Sequence, residues 1–133
     1  MAVFGDESAE VHVLFDPPSD LVMRNHRDEV EATENGACGV AILLCRLLKT
    51  HAVIEQAMQM DGIDYWVGEA EPGRPMNRKA RLEVTGIREG DKTAVNSRFA
   101  QKLKTTAKSD GPLPAIITVV EFSHPMARME TKP

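Results

Sequence analysis

Apolar positions along the chain switch between a period of about two and a period of about 3.6, and the switches mark out its elements. In residues 1–27, Val11, Val13 and Phe15 alternate with His12 and Leu14, which predicts one strand over 11–15. The segment Asp16-Pro17-Pro18-Ser19-Asp20 stops it, because prolines and short polar side chains favour turns. From Asp28 to Lys49 the spacing is helical, with Val30, Ala37, Ala41, Leu44 and Leu48 on a buried stripe that Glu34 interrupts. Gly36 and Gly39 each weaken that helix by about 1 kcal/mol relative to Ala, or let it pack closely on a sheet. Strand patterns follow at Ala52–Met58 and, after the turn signal Asp61-Gly62, at Ile63–Val67. Gly68–Pro75 reads as a loop. Lys79–Ile87 is the next strand, with Ala80, Leu82 and Val84 on one face and Lys79, Arg81, Glu83 and Thr85 on the other. Lys92–Lys108 is a second helix, buried along Val95, Phe99, Leu103 and Ala107 and ended by Ser109-Asp110-Gly111-Pro112. Ala115–Phe122 is apolar enough for a central strand buried on both faces.

This order predicts an α/β (α+β) chain: a mixed central sheet of about four or five strands flanked by two helices. The expected division is an N-terminal extension with one strand (1–27), one α/β domain (28–122) and a loose tail (123–133). A chain of 133 residues has room for one such core.

Composition narrows the function classes. The longest uncharged apolar runs, Gly36–Cys45 and Pro112–Val120, are about half of the ~20 residues a membrane-spanning helix needs. The acidic Met1–Ala9 stretch lacks the pattern of a secretory leader. Cys38 and Cys45 lie about 10 Å apart if helical, too far for a disulfide, and both are expected to face the core as small hydrophobes. A reduced, cytoplasmic protein is the expectation. His12, His26, His51 and His124 are scattered without zinc-ligand spacing. The net charge of −4 hides an asymmetry. Residues 1–77 carry 5 Lys+Arg against 14 Asp+Glu, whereas residues 78–108 carry 9 against 3. Overall acidity therefore does not exclude a phosphate-bearing partner, although it opposes strong nonspecific polyanion binding.

Three carboxylates stand where apolar patterning would not place them: Glu34 on a helix stripe, Asp64 in an aromatic strand and Glu83 within an internal strand. A buried carboxylate is costly unless paired, and two that meet raise each other's pKa. Magnesium resolves both problems with one or two carboxylates, polarises a phosphate and lowers the pKa of an attacking water. Simpler roles fit the same residues: a helix-terminal acid for Glu34, turn capping for Asp64 and a cross-strand ion pair for Glu83.

With these acids, the order helix–strand–strand–strand–helix–strand over roughly residues 28–122 resembles the PD-(D/E)XK nuclease superfamily, the restriction-endonuclease-like fold. The resemblance implies Ile63-Asp64 as the first motif element, Glu83-Val84-Thr85 as the second and Glu34 as the helix acid. It implies Mg2+ held by Glu34, Asp64 and Glu83, and a helix whose Gln101 and Lys102 face the cleft. The superfamily's lysine is replaced by Thr85, which leaves Lys79, on the same strand face, as the substitute. The first functional reading is thus a divergent magnesium-dependent nuclease with catalytic Asp64, Glu83 and Lys79, and with Arg98, Gln101, Lys102 and Lys104 on the nucleic acid. The second is the same fold without catalysis, a module binding protein or nucleic acid, as a homodimer or with a protein partner.

Overall fold

The computed structural model of the protein describes residues 1–57, 64–69, 77–108 and 113–133. In chain order its elements are β1 (Ala2–Gly5), β2 (Ala9–Glu10), α1 (Asp20–Asn25), α2 (Glu29–Lys49), β3 (Ala52–Gln56), β4 (Tyr65–Gly68), β5 (Arg78–Ile87), α3 (Lys92–Lys108), β6 (Ala115–Glu121) and β7 (Met126–Lys132). The strands make one seven-stranded mixed sheet in the order β2-β1-β7-β6-β5-β4-β3. β5 and β6 run parallel, as do β1 and β7, and the remaining neighbours are antiparallel. Among the described residues no helix is long and apolar enough to cross a membrane.

The two long helices lie on opposite faces for the reason their apolar stripes give. Ala37, Val40, Ala41 and Leu44 of α2 pack on Leu82, Val84, Ile116 and Val120. Val95 and Phe99 of α3 pack on Ile87, Ile117 and Val119. Successive residues of β5 and β6 thus serve opposite layers, and β6 is buried along its whole length, as its unbroken apolar run predicts. Asp28 starts α2 by accepting from the N–H groups of Val30 and Glu31 at 3.0 and 3.1 Å. The bounds of α3 are those its pattern predicts; Val95 and Phe99 are buried and Leu103 half-buried, while the side chain of Ala107 lies outside the described residues.

Several expectations need correction. Among the described residues the sheet has seven strands rather than four or five. Residues 11–15 are not a strand: Val11 donates to the Met1 carbonyl at 2.9 Å, and beyond it the alternating side chains have no neighbouring strand to pair with. The strands of the first 27 residues are instead β1 and β2, which join the main sheet. The tail is not loose. β7 inserts between β1 and β6, burying Ala127 and Met129, because the second edge of a fully apolar β6 must be covered. Val30 is exposed rather than on the buried stripe of α2, since α2 has not yet reached the sheet there, and Cys38 is half-buried where Cys45 is fully buried. Met58, the Asp61-Gly62 turn, Ile63, most of the Gly68–Pro75 loop and Ser109–Pro112 lie outside the described residues.

One buried carboxylate fastens the β6–β7 turn to the start of α3. Glu121 Oε1 accepts from the backbone N–H of Ser123 at 2.7 Å and of Gly90 at 3.2 Å, and also from the Ser123 hydroxyl. Its Oε2 accepts from the His124 N–H at 2.6 Å. Burial alone would raise the Glu121 pKa, but these donors outweigh it and hold the group below the ordinary carboxylate value. Its contribution is therefore present above the unfolded-state pKa and is lost as pH falls through the folded one. Glu121→Gln brings an amide donor against these donors. It is expected to lower stability at neutral pH by about 2 kcal/mol, a deficit that narrows in acid; denaturant titrations of both proteins at several pH values check this.

Candidate functional site

The site grows from a mismatch in strand length. β4 pairs with β5 only from Tyr65–Leu82 to Gly68–Arg78, so the second half of β5 has no β4 alongside it. On the other edge β5 keeps its partner, β6, through Ile87. The N–H groups of Val84 and Gly86 therefore face the side that β4 has left. Each is met by a carboxylate: Asp64 Oδ2 accepts from Val84 at 2.7 Å, and Glu34 Oε1 accepts from Gly86 at 3.3 Å. Asp64 is held in place by its own backbone, which donates to the Leu82 carbonyl at 3.2 Å and accepts from the Ala57 N–H at 3.0 Å. Glu34 reaches Gly86 because α2 crosses β5 at that residue. A Cβ on Gly86 would lie 2.7 Å from the Thr33 carbonyl oxygen, so only glycine permits the approach.

Glu83 takes the other face of β5. It is 1% exposed, and its Oε2 accepts from the hydroxyl of Thr106 on α3. Its pKa is raised from 4.5 to about 7, first by burial and further by the Asp64 carboxylate, while Lys102 on α3 and Arg81 on its own strand act against the rise. Asp64 also acts on Cys38 of α2. Burial first, then the Asp64 charge, raise that thiol, with Glu34 adding to the rise and Tyr65 and Lys102 opposing it. Asp64 thus lies within electrostatic reach of Glu83 and Cys38, and Lys102 within reach of both. Arg81 is buried, with Nε donating to the Leu113 carbonyl at 3.2 Å.

The sequence-predicted residues divide accordingly. Asp64 and Lys102, on β4's approach and on α3, each act electrostatically on Glu83. Glu34 borders the same neighbourhood through Cys38, with one oxygen engaged at Gly86. Lys79 is exposed near the start of β5, four residues and so about 13 Å along the strand from Glu83; the basic groups acting on Glu83 are Lys102 and Arg81. Arg98, Gln101 and Lys104 are exposed on α3. Thr85 is buried between β5 and α3. Among the described residues no group of three or more His, Cys, Asp and Glu side chains could hold a metal ion. Thr106 and Cys38 escaped the sequence reading as site residues. The spacing signal for Thr106 was present, since it follows Lys102 by one helical turn. No family model, curated protein or solved structure matches the chain.

The raised Glu83 pKa has a sign that stability measurements can read. Between 4.5 and about 7 the folded state holds a proton that the unfolded state has released, so the contribution of Glu83 falls as pH rises through that window. Glu83→Gln is expected to remove this slope and to be the more stable protein above pH 7, by up to about 3 kcal/mol. Unfolding curves of both proteins at a series of pH values decide it; a wild type that gains stability relative to the variant across the window would refute the assignment.

Proposed function

We propose that the chain is a small, divergent nuclease of the restriction-endonuclease-like type, dependent on a divalent cation and acting on phosphodiester bonds. The observation that carries this reading is that Asp64 and Lys102 both act electrostatically on the buried Glu83, beside the stretch of β5 that β4 leaves unpaired. The element order α2–β3–β4–β5–α3–β6, with α3 crossing over between parallel β5 and β6, supports it. A cation bound by Asp64 and Glu83 supplies polarisation of the phosphate and a more acidic water. Thr106 keeps the Glu83 carboxyl in one orientation. Lys102 takes the part of the superfamily lysine in place of Lys79: its ammonium, brought from the helix rather than from the strand, stabilises the anionic charge that develops on the phosphate oxygens. Arg98, Gln101 and Lys104, outward on the same helix, hold the nucleic-acid backbone, which fixes register without reading sequence. Glu34 acts through Gly86, keeping α2 against β5.

A second reading is favoured by the hydrogen bonds of the acids themselves. Asp64 and Glu34 already close the free edge of β5, and Thr85 stands at the motif lysine's place, which together suit a non-catalytic nucleic-acid- or protein-binding module of the same architecture.

Cleavage of labelled single- and double-stranded DNA and RNA, with Mg2+ or Mn2+ added, separates the two. The nuclease reading expects cation-dependent cleavage, abolished in Asp64→Asn and Glu83→Gln and reduced roughly a hundredfold in Lys102→Ala. Lys79→Ala is expected to stay near the wild-type rate. Nucleic-acid binding without cleavage under any of these conditions would favour the second reading. Under either, removing Arg98 and Lys104 together should make the slope of log K against log salt shallower by about 2 if both touch phosphates.

A further inference from the structure

Trp66 is the chain's one tryptophan, and its surroundings differ from those of its neighbours in β4. Tyr65 and Val67, on either side of it, pack into the core beneath α2. Alternation along the strand therefore turns Trp66 to the opposite face, the one that carries Glu83 and α3. There α3 packs on β5, β6 and β7. Among the described residues Trp66 joins neither hydrophobic core, and it is half-buried. What lies over its indole is a cation: the guanidinium carbon of Arg78 is 4.2 Å from the ring centroid. A guanidinium can stand there only where that face of the ring is not packed against other side chains. Arg78 is itself loosely held. It also pairs with Glu55, at 2.6 and 2.8 Å, but both side chains are exposed, so the ion pair is weak and exchangeable. The register sets the ring beside the acids. Trp66 lies opposite Arg81, and Glu83 follows two residues along the same face of β5, a diagonal neighbour at about 7–8 Å between Cα atoms.

We propose that Trp66 is a stacking platform for a base of single-stranded nucleic acid, the base displacing Arg78 from the ring and Arg78 turning to a phosphate of the same strand. The inference rests on the reading of the site as one for nucleic acid, and it names the substrate class as single-stranded. An exposed ring face with a mobile guanidinium beside it matches the two things an unpaired nucleotide carries, a π-face and a phosphate charge. A duplex cannot use the platform, because its bases are stacked on one another and present only their edges. Residues 78–108, which include Arg78 and the exposed Arg98 and Lys104 of α3, carry 9 Lys+Arg against 3 Asp+Glu. A strand running from α3 past Glu83 to Trp66 thus meets the basic part of the chain.

Because Trp66 is the sole tryptophan, its fluorescence reads the contact directly. Oligothymidylate of about 16 nucleotides, added without divalent cation so that nothing is cut, is expected to quench the emission, and added salt to restore it. A duplex of the same length is expected to leave the emission near its starting value. By anisotropy of the end-labelled oligothymidylate, Trp66→Ala is expected to bind at least about fivefold more weakly, and Trp66→Phe, which keeps a π-face, closer to wild type. Circular dichroism of both variants is expected to match the wild type, since Trp66 supports neither core. Binding of the single strand without a change in tryptophan emission overturns the platform, as does equal affinity of wild type and Trp66→Ala; either result leaves the proposed function standing. Tighter binding of the duplex overturns the single-strand assignment. Failure to bind any nucleic acid, with or without Mg2+, overturns both the platform and the nucleic-acid reading beneath it.

Discussion

The half-empty edge of β5 is the constraint from which the site follows. A buried strand cannot leave its N–H groups unpaired, yet β4 stops short and withdraws the ladder from Val84 and Gly86. Two carboxylates from different elements replace it. Satisfying those N–H groups seats Asp64 against Val84 and draws α2 onto Gly86, where a Cβ would collide with Thr33. The acids are thus structural before they are anything else. A charged oxygen bonded to backbone N–H is also a fixed oxygen, and its second lone pairs and its partner oxygen stay available for chemistry. The simpler roles their patterns suggest, turn capping for Asp64 and a helix-terminal acid for Glu34, give way to capping of the open β5 edge.

Two glutamates in neighbouring strands, both closed to solvent, have opposite shifts. Glu83 and Glu121 are both almost wholly inaccessible. Glu121 is ringed by backbone and hydroxyl donors and is held as a carboxylate. Glu83 has Thr106 and the diffuse influence of Lys102 and Arg81, while Asp64 pushes the other way, and it is poised near neutrality. The first is the signature of a fastening, the second of a group whose ionisation an incoming charge could tip. The difference lies both in depth, Glu83 being the more deeply buried of the two, and in the number of donors within bonding distance.

Much of this was legible in the sequence, and the failures have identifiable causes. Elements with a full amphipathic period, α2, α3 and β5, announced themselves, and β6 did so by being apolar throughout. Glu34, Asp64 and Glu83 stood out because they broke those patterns. The strand expected at 11–15 failed because alternation describes a side chain's two faces and says nothing of whether a neighbour exists. β7 was missed for the converse reason. Met126-Ala127-Arg128-Met129 alternates only weakly, and its strand character comes from the uncovered edge of β6, a demand made far away in the chain. The electrostatic reach of Lys102 to Glu83 was not legible for the same reason: strand neighbours are visible in sequence, whereas the approach of a helix face to a strand is set by packing.

The pairing of β1 with β7 joins Ala2 to Met126 and Gly5 to Met129. During synthesis β1 waits without its β7 partner until residues 126–132 have left the ribosome, and only then can the sheet close beyond β6. Such a pairing maximises loop closure at the final step and makes folding slow relative to a helical protein of equal size. It also confers order: α2, β3–β5, α3 and β6 can assemble beforehand with local crossovers, and β7 then arrives as the template that lets the waiting N-terminus in. A nascent chain cut short before residue 126 would keep Asp64 and Glu83 in place yet carry an open edge on β6, and the cell would meet it as an aggregation-prone fragment.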